Sequence, residues 1–474
     1  MRAFHVRART LLAALALVSL PASSPAAEQP APKKTTDEEY QRRIEQLEKD
    51  LHQLKKDTRQ LEVTNEEQAK LKPVAGYQDG FFVQTQDGNY KLKVGGYTQF
   101  DGRFFIDNVK DSSQFTFRRV RPELAGTVAK YFDFRLLPDF QGGRTQLFDA
   151  YVEAKYIPEA KLRVGKFKPP VGIERLQSAT TLLFAERALP TNLVPSRDLG
   201  VQVGGDLWLG VFSYALGIFN GVADNINPSD VDVYDDKDFA GRIFAQPFKQ
   251  TALEPLRGLG IGVAGTYGDQ KGTPSSPDLP QYKTFGQSTF FSYRTDSPAT
   301  STGTAIADGA RYRISPQGYY YFGPFGFLAE YVRSTQDVRI DTKVSDTDTT
   351  PVDGSVANSA WQVRAEYVLT GEDATYKGVA PAKPFDLWQG TWGAFEIGAR
   401  YGELTVDGDA FDLGFADPKK SARRAKEFVL GANWFLNRNI MVALDWSRTE
   451  FTGGASNGNR TTEDVLLSRV QLVL

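Results

Sequence analysis

The stretch that fixes the architecture is QLFDAYVEAKY (residues 146–156), KLRVGKFKPP (161–170) and VGIERLQSATTLLFAERALPTNLVP (171–195). Its first two pieces form a strand, a tight turn and a second strand. In the first piece Phe148, Ala150, Val152, Ala154 and Tyr156 fall on one face, and Asp149, Tyr151, Glu153 and Lys155 on the other. That is a period of two with one greasy side and one wet side. The third piece is a connection of about thirty residues, longer than structural loops usually are. It carries Glu174, Arg175, Glu186 and Arg187. The expectation is a loop folded into the lumen of a membrane barrel, where it forms the narrowest part of a pore.

From Lys91 to Leu474 the alternation persists, and sixteen strands can be counted. Thr284–Tyr293 is left inside a loop. Connections after odd strands are mostly long and polar (168–199, 220–237, 268–308, 335–358, 405–424, 452–463). Those after even strands are mostly short (130–131, 157–160, 209–210, 322–324, 436–439), with 370–391 the exception. Long loops on one side, tight turns on the other and an even strand count describe an all-β, 16-stranded antiparallel transmembrane barrel. The faces agree. Trp361, Val363, Ala365, Tyr367 and Leu369 alternate with Gln362, Arg364 and Glu366, while Phe395, Ile397, Ala399 and Tyr401 alternate with Glu396, Gly398 and Arg400. A soluble sandwich would also alternate, but it could not hide so many charged residues on its second face.

Ahead of the barrel, residues 1–27 have the form of a secretory signal. Arg2, Arg7 and Arg9 precede the apolar run LLAALALVSL (11–20), and small residues follow near Ala26. That run is about half the ~20 residues a spanning helix needs. Residues 28–36 form a linker. Residues 37–72 follow a heptad: Ile44, Leu51, Thr58 and Asn65 fall at one position, and Leu47, Leu54, Leu61 and Gln68 at the other. The pattern describes a short periplasmic coiled coil, with a lone charged helix as the alternative. Residues 73–90 form a second linker, and 91–474 the barrel.

The 474 residues contain no cysteine, and the two histidines, His5 and His52, both precede the β-rich region. This excludes disulfides, Ser-His hydrolase chemistry and a His-ligated metal in the barrel. No cofactor, metal or nucleic-acid partner is expected. The acidic stretch Asp224–Asp238 matches no ordered calcium loop and reads as a solvated external loop.

The barrel sequence resembles the phosphate-selective porin O/P family of Gram-negative outer membranes. The resemblance rests on KLKVGGYTQFDGRFF (91–105), FTFRRVRPELAGT (115–127), TQLFDAYVEAKY (145–156), LRVGKFKPPVGIERLQSATT (162–181), LLFAERAL (182–189), LTGE (369–372) and GANWF (431–435). It implies a homotrimer in the outer membrane, surrounded by lipid and lipopolysaccharide, passing phosphate or oligophosphate anions along an arginine ladder to a central constriction. Carried over by position, the constriction aspartate is Asp149 and the constriction lysine is replaced by Arg175. The first serine is Ser178, the arginine after a glutamate is Arg187, and the outer arginine pair is Arg118-Arg119. Tyr97 stands where the pattern has an arginine and Ala179 where it has a second serine. Pyrophosphate, polyphosphate and general anion preference therefore stay open, as does a non-specific porin whose coiled coil tethers the outer membrane to the cell wall.

Parity places Asp149, Arg119 and Arg121 on the wet face. It places Arg118 with the lipid-facing set, so Arg118 must sit above the hydrocarbon or be turned inward by a bulge. Arg121, Arg135, Arg163, Arg364 and Arg400 are equally consistent with wall residues paired to lumen carboxylates. An outer-membrane enzyme would need a nucleophile with a base, and the barrel offers only carboxylate or lysine chemistry.

Overall fold

A computed structural model describes residues 36–70, 72–106, 111–228, 235–295, 303–343 and 349–474. The signal segment and most of the 28–36 linker lie outside the described residues. The chain divides into two compact units, 1–68 and 69–474.

The first unit is represented by one helix, α1 (Asp37–Lys70). Asp37, Glu38 and Glu39 in its first turn favour the positive end of the helix dipole. Gln46 donates to Asp50 at 3.1 Å and Gln53 to Asp57 at 2.9 Å, each pair one turn apart. Ile44, Leu47, Leu51, Leu54 and Leu61 are all exposed on the single chain. Among the described residues, none of these five apolar side chains is covered. The Gln68 side chain lies outside the described residues.

In the second unit sixteen antiparallel strands close on themselves. They are β1 (Lys91–Phe105), β2 (Gln114–Val128), β3 (Phe132–Asp139), β4 (Gln146–Ala154), β5 (Lys161–Phe167), β6 (Asp198–Leu207), β7 (Phe212–Phe219) and β8 (Asp238–Ala245). There follow β9 (Leu259–Lys271), β10 (Ala305–Phe322), β11 (Phe325–Lys343), β12 (Thr349–Val368), β13 (Ala394–Thr405), β14 (Ala422–Phe435), β15 (Ile440–Ala455) and β16 (Glu463–Val473). Closure runs from Val465 opposite Phe105 to Val473 opposite Tyr97. The final residue is paired too, since Leu474 N donates to Gly96 O at 2.8 Å. No backbone edge is left between first and last strands, as a hydrocarbon setting demands. Residues 73–90, expected as a linker, carry a β-hairpin (Pro73–Tyr77 with Phe81–Thr85) that pairs with the start of β1.

The faces follow the expected alternation. Trp361, Val363 and Tyr367 point outward and are exposed, while Gln362, Arg364 and Glu366 point inward and are buried. At the short-turn mouth, Tyr156, Trp208, Trp388 and Trp392 are exposed, the position of an interfacial aromatic girdle.

The lumen is not uniformly wet. Gln281–Lys283 and Thr289–Ser292 pair as a hairpin within the 272–304 connection, where the alternation predicts only loop. Its Tyr282, Phe290 and Phe291 pack with Leu189 and Leu193 of the 168–197 loop and with inward Val332, Val356 and Leu404 of the wall. This apolar plug fills much of the interior beside β11–β15 and leaves open space along β1–β5. The acidic connection is likewise not simply solvated at its ends. Asp224 and Asp238 are buried and pair with Arg313 at 2.6 and 3.3 Å. Residues 229–234 between them lie outside the described residues.

Candidate pore constriction

The arginine pair on β2 owes its direction to a defect in the sheet. Gln99 pairs with Arg119 but the next residue, Phe100, pairs with Phe117, so Arg118 is the extra residue of a β-bulge. The bulge turns Arg118 into the lumen beside Arg119. There Arg118 clasps the Glu186 carboxylate through Nε and through Nη2, the latter at 3.1 Å. Arg103, Arg119 and Arg469 stand 3.9, 3.9 and 3.6 Å from the same carboxylate. Burial alone would raise the Glu186 carboxyl, but Arg118 and Arg119 outweigh it and hold it well below the ordinary range.

Glu186 is one of two carboxylates on the inward loop that tie it to wall arginines. The other is Glu174, in the short helix α2 (Ile173–Leu176). Its carboxylate meets Arg364 at 3.1 Å and Arg400 at 3.7 Å, and accepts Ala188 N at 2.7 Å. Arg364 and Arg400 are thus wall residues paired to a loop carboxylate. The loop crosses the lumen as a strap, held to β1, β2 and β16 at one end and to β12 and β13 at the other.

The two loop arginines are placed differently. Arg175 Nη2 donates to Thr191 O at 2.8 Å and Asn225 Oδ1 at 2.6 Å. Arg187 donates from Nε to Glu174 O at 3.1 Å and from Nη2 to Gln177 O at 2.8 Å. Their hydrogen-bond partners are neutral oxygens, and neither has a carboxylate within ion-pair distance among the described residues. Burial lowers the Arg187 pKa to about 10, with Glu174 opposing and Arg197 reinforcing the shift, so Arg187 remains charged at neutral pH.

Asp149 lies on the inner face of β4, buried, and is shared by two guanidiniums. Arg197 Nε donates to its Oδ1 at 3.1 Å, and Arg135 Nη1 is 3.4 Å from its Oδ2. The Phe148 ring lies between Arg121, 3.8 Å from its centroid, and Arg197, at 4.8 Å. Arg121 also holds Asp139 at 2.7 Å and donates to the Tyr97 hydroxyl at 2.8 Å. Tyr97 therefore supports an arginine at the position where the family resemblance leads one to expect one. Ser178 is exposed, with its Oγ 2.8 Å from Thr180 Oγ1, and it lines none of the cavities described next. Ala179 contributes its carbonyl to Gln99 Nε2 at 2.9 Å.

Three cavities follow the β1–β5 wall. The first, about 560 Å³, is lined by seven arginines (103, 118, 119, 121, 175, 187, 197) and Lys283 against the single carboxylate of Glu186. The second, about 380 Å³, holds Asp149, Arg135, Arg163, Lys168 and Arg242. The third, also about 380 Å³, shares Arg135 and Tyr151 with the second and reaches Lys91 and Lys93 towards the short-turn mouth. Leu137 pairs with Asp149 but Pro138 pairs with Leu147, so Phe148 is the extra residue of a second bulge and faces inward instead of joining the greasy face. It lines the first cavity and Asp149 the second, so this pair marks the waist.

Sequence reasoning missed Arg103, Arg197 and Lys283. Arg103 was recoverable, since it shares parity with Gln99 and Asp101, opposite Phe100 and Phe104. Arg197 precedes β6 in irregular chain, and Lys283 sits on the plug hairpin, where no periodic signal points inward.

A closed sixteen-stranded barrel with an outward apolar face, an inward polar face and a strapping loop is an outer-membrane channel of the porin type. The chain belongs to the family described as phosphate-selective porin O and P, whose family model matches residues 90–474. It is similar to Porin O of Pseudomonas aeruginosa, with 24% identity over 423 residues, covering 83% of this chain and 91% of that protein. Among solved structures it is similar to the outer-membrane channel DcaP of Acinetobacter baumannii, with a TM-score of 0.50 and 11% identity over 85% of this chain and all of that one. A loop-deletion form of OmpT of Vibrio cholerae superimposes with a TM-score of 0.49 at 10% identity, covering 81% of this chain and all of that one. Family and fold make the protein a channel rather than an enzyme.

Proposed function

We propose that the channel passes anions selectively, with phosphate or oligophosphate as its substrate class. The observation that carries this reading is the charge of the first cavity, where seven arginines and one lysine meet one carboxylate. Guanidinium suits the task because its charge is permanent and its fork of donors matches phosphate oxygens. Several moderate sites in series let an anion leave again, as conduction requires. The family's description as phosphate-selective supports the phosphate assignment. Tyr97 and Ala179 favour no particular phosphate species, and general anion passage is the second reading.

Reversal potentials across a planar bilayer test both readings. In a potassium chloride gradient the sign should report anions as the carriers. Added phosphate should then reduce the chloride current at concentrations too low to carry current itself. A cation-signed potential would sink the reading, and an anion-signed potential without phosphate block would leave the general anion channel. We further propose a homotrimer in the outer membrane, set in lipid and lipopolysaccharide, with the exposed leucine stripe of α1 paired as a periplasmic coiled coil.

The place of Asp149 between Arg197 and Arg135 favours a restraining role: it occupies two guanidiniums that would otherwise hold an anion too long. Asp149→Asn should lower both the half-saturating phosphate concentration and the limiting phosphate conductance. An unchanged half-saturating phosphate concentration would discard that role.

A further inference from the structure

The one long connection on the short-turn side, 369–393, does not hang free. Thr370 and Glu372 bind each other through their side chains, Ala382 N donates to Glu372 Oε1 at 3.1 Å, and Phe395 N donates to Thr370 Oγ1 at 3.1 Å. The LTGE segment thus ties the root of the connection to the ends of β12 and β13. Its middle then enters the lumen. Tyr376 donates its hydroxyl to Ile173 O at 2.5 Å, and its ring stacks on Tyr319 with centroids 5.3 Å apart. Its carbonyl accepts Gln177 Nε2 at 2.8 Å. Gly378 has a φ of +88°, which favours glycine, and a Cβ there would come within 3.1 Å of the Thr181 side chain, so the turn packs closely on the strap.

We propose that this connection is a brace that sets the position of the constriction loop from the opposite mouth, with Tyr376 as its positioning residue. The contacts fall at both ends of α2. Ile173 opens the helix and Gln177 follows it, and the Gln177 carbonyl is the acceptor for Arg187 Nη2 at 2.8 Å and for Lys168 Nζ at 2.9 Å. The same residue, Gln177, therefore bonds the brace through its side chain and two cations of the constriction through its carbonyl. Buried hydroxyls and amides placed this way fix geometry, because each left unpaired is costly. The effect on anion affinity rests on the proposed function above; the effect on loop position does not.

The test uses the full-length protein and two readouts. The chain has no cysteine, so Ser178→Cys, on the exposed segment just after Gln177, reports loop position through its rate of reaction with a charged thiosulfonate reagent. In that background Tyr376→Ala is expected to change the rate at least threefold, and Tyr376→Phe, which keeps the ring but not the hydroxyl, by less. In the background without Ser178→Cys, Tyr376→Ala should raise the half-saturating phosphate concentration about tenfold, and Tyr376→Phe about threefold. The limiting conductance should stay within twofold for both, a split that general loosening of the barrel would not produce. Equal thiol reaction rates in all three proteins would overturn the brace. Altered rates in a channel that is not anion-selective would leave the brace standing and remove the function reading instead.

Discussion

Arg187→Gln is expected to raise the phosphate concentration that half-saturates the channel by about ten- to a hundredfold, with the barrel folding as before. The size follows from what the guanidinium does at rest. Its hydrogen bonds go to two backbone carbonyls, and no carboxylate among the described residues lies within ion-pair distance of it. A hydrogen bond to a charged group contributes about 1.5–3 kcal/mol, roughly one to two powers of ten in binding. Glutamine keeps a donor for one of the carbonyls, so the strap should hold its path. Arg364→Gln makes the instructive contrast. That guanidinium is committed to Glu174 at 3.1 Å and is buried against the wall. Its loss should weaken the anchoring of the loop more than the affinity for anion. Conductance titrations of both variants decide the matter. If Arg187→Gln and wild type saturate alike, Arg187 is a structural cation.

The alternation of residue type carried most of the barrel into view because lipid outside and water inside impose opposite demands on successive residues. Strand ends were harder. β11 and β12 run through Val338–Lys343 and Thr349–Asn358, beyond where an outward apolar row can be followed, because pairing continues above the hydrocarbon without needing a greasy face. Parity also failed at Arg118, where a single extra residue reverses the direction of a side chain. The apolar plug was hidden for a related reason. Val332 and Leu404 face inward as parity requires, but alternation cannot say whether the inward side meets water or the 281–292 hairpin. In the site, Asp149, Arg175 and Arg187 were legible through family resemblance. The partners that fix them were not, because Tyr376 and Ile173 are 203 residues apart in the chain and meet only in the folded barrel.

Glu186→Gln should produce the largest loss of stability of any single lumen substitution considered. One carboxylate faces Arg103, Arg118, Arg119 and Arg469, and it is 2% exposed. Removing one partner of a buried charge pair costs about 3–5 kcal/mol, because the remaining charge stays out of water without compensation. Here several guanidiniums are left facing one another, and the glutamine amide accepts from only one of them well. The strap then loses its ionic hold on β1, β2 and β16 and keeps there hydrogen bonds such as Gln99 Nε2 to Ala179 O at 2.9 Å and Gln471 Nε2 to Thr180 O at 3.0 Å, while Glu174 still fastens the other end. The expected signature is a lower melting temperature together with frequent partial closures in single-channel records. The pH dependence has a definite sign. The folded carboxyl lies below its ordinary value of 4.5, so the unfolded chain takes up the proton first. This contribution is complete at neutral pH and is lost as the medium is acidified through the depressed folded value. Glu186→Gln should therefore melt lower than wild type at pH 7, with the gap narrowing on acidification. A variant that melts with wild type at pH 7 and conducts without closures would show that water in the vestibule, rather than Glu186, keeps the four arginines apart.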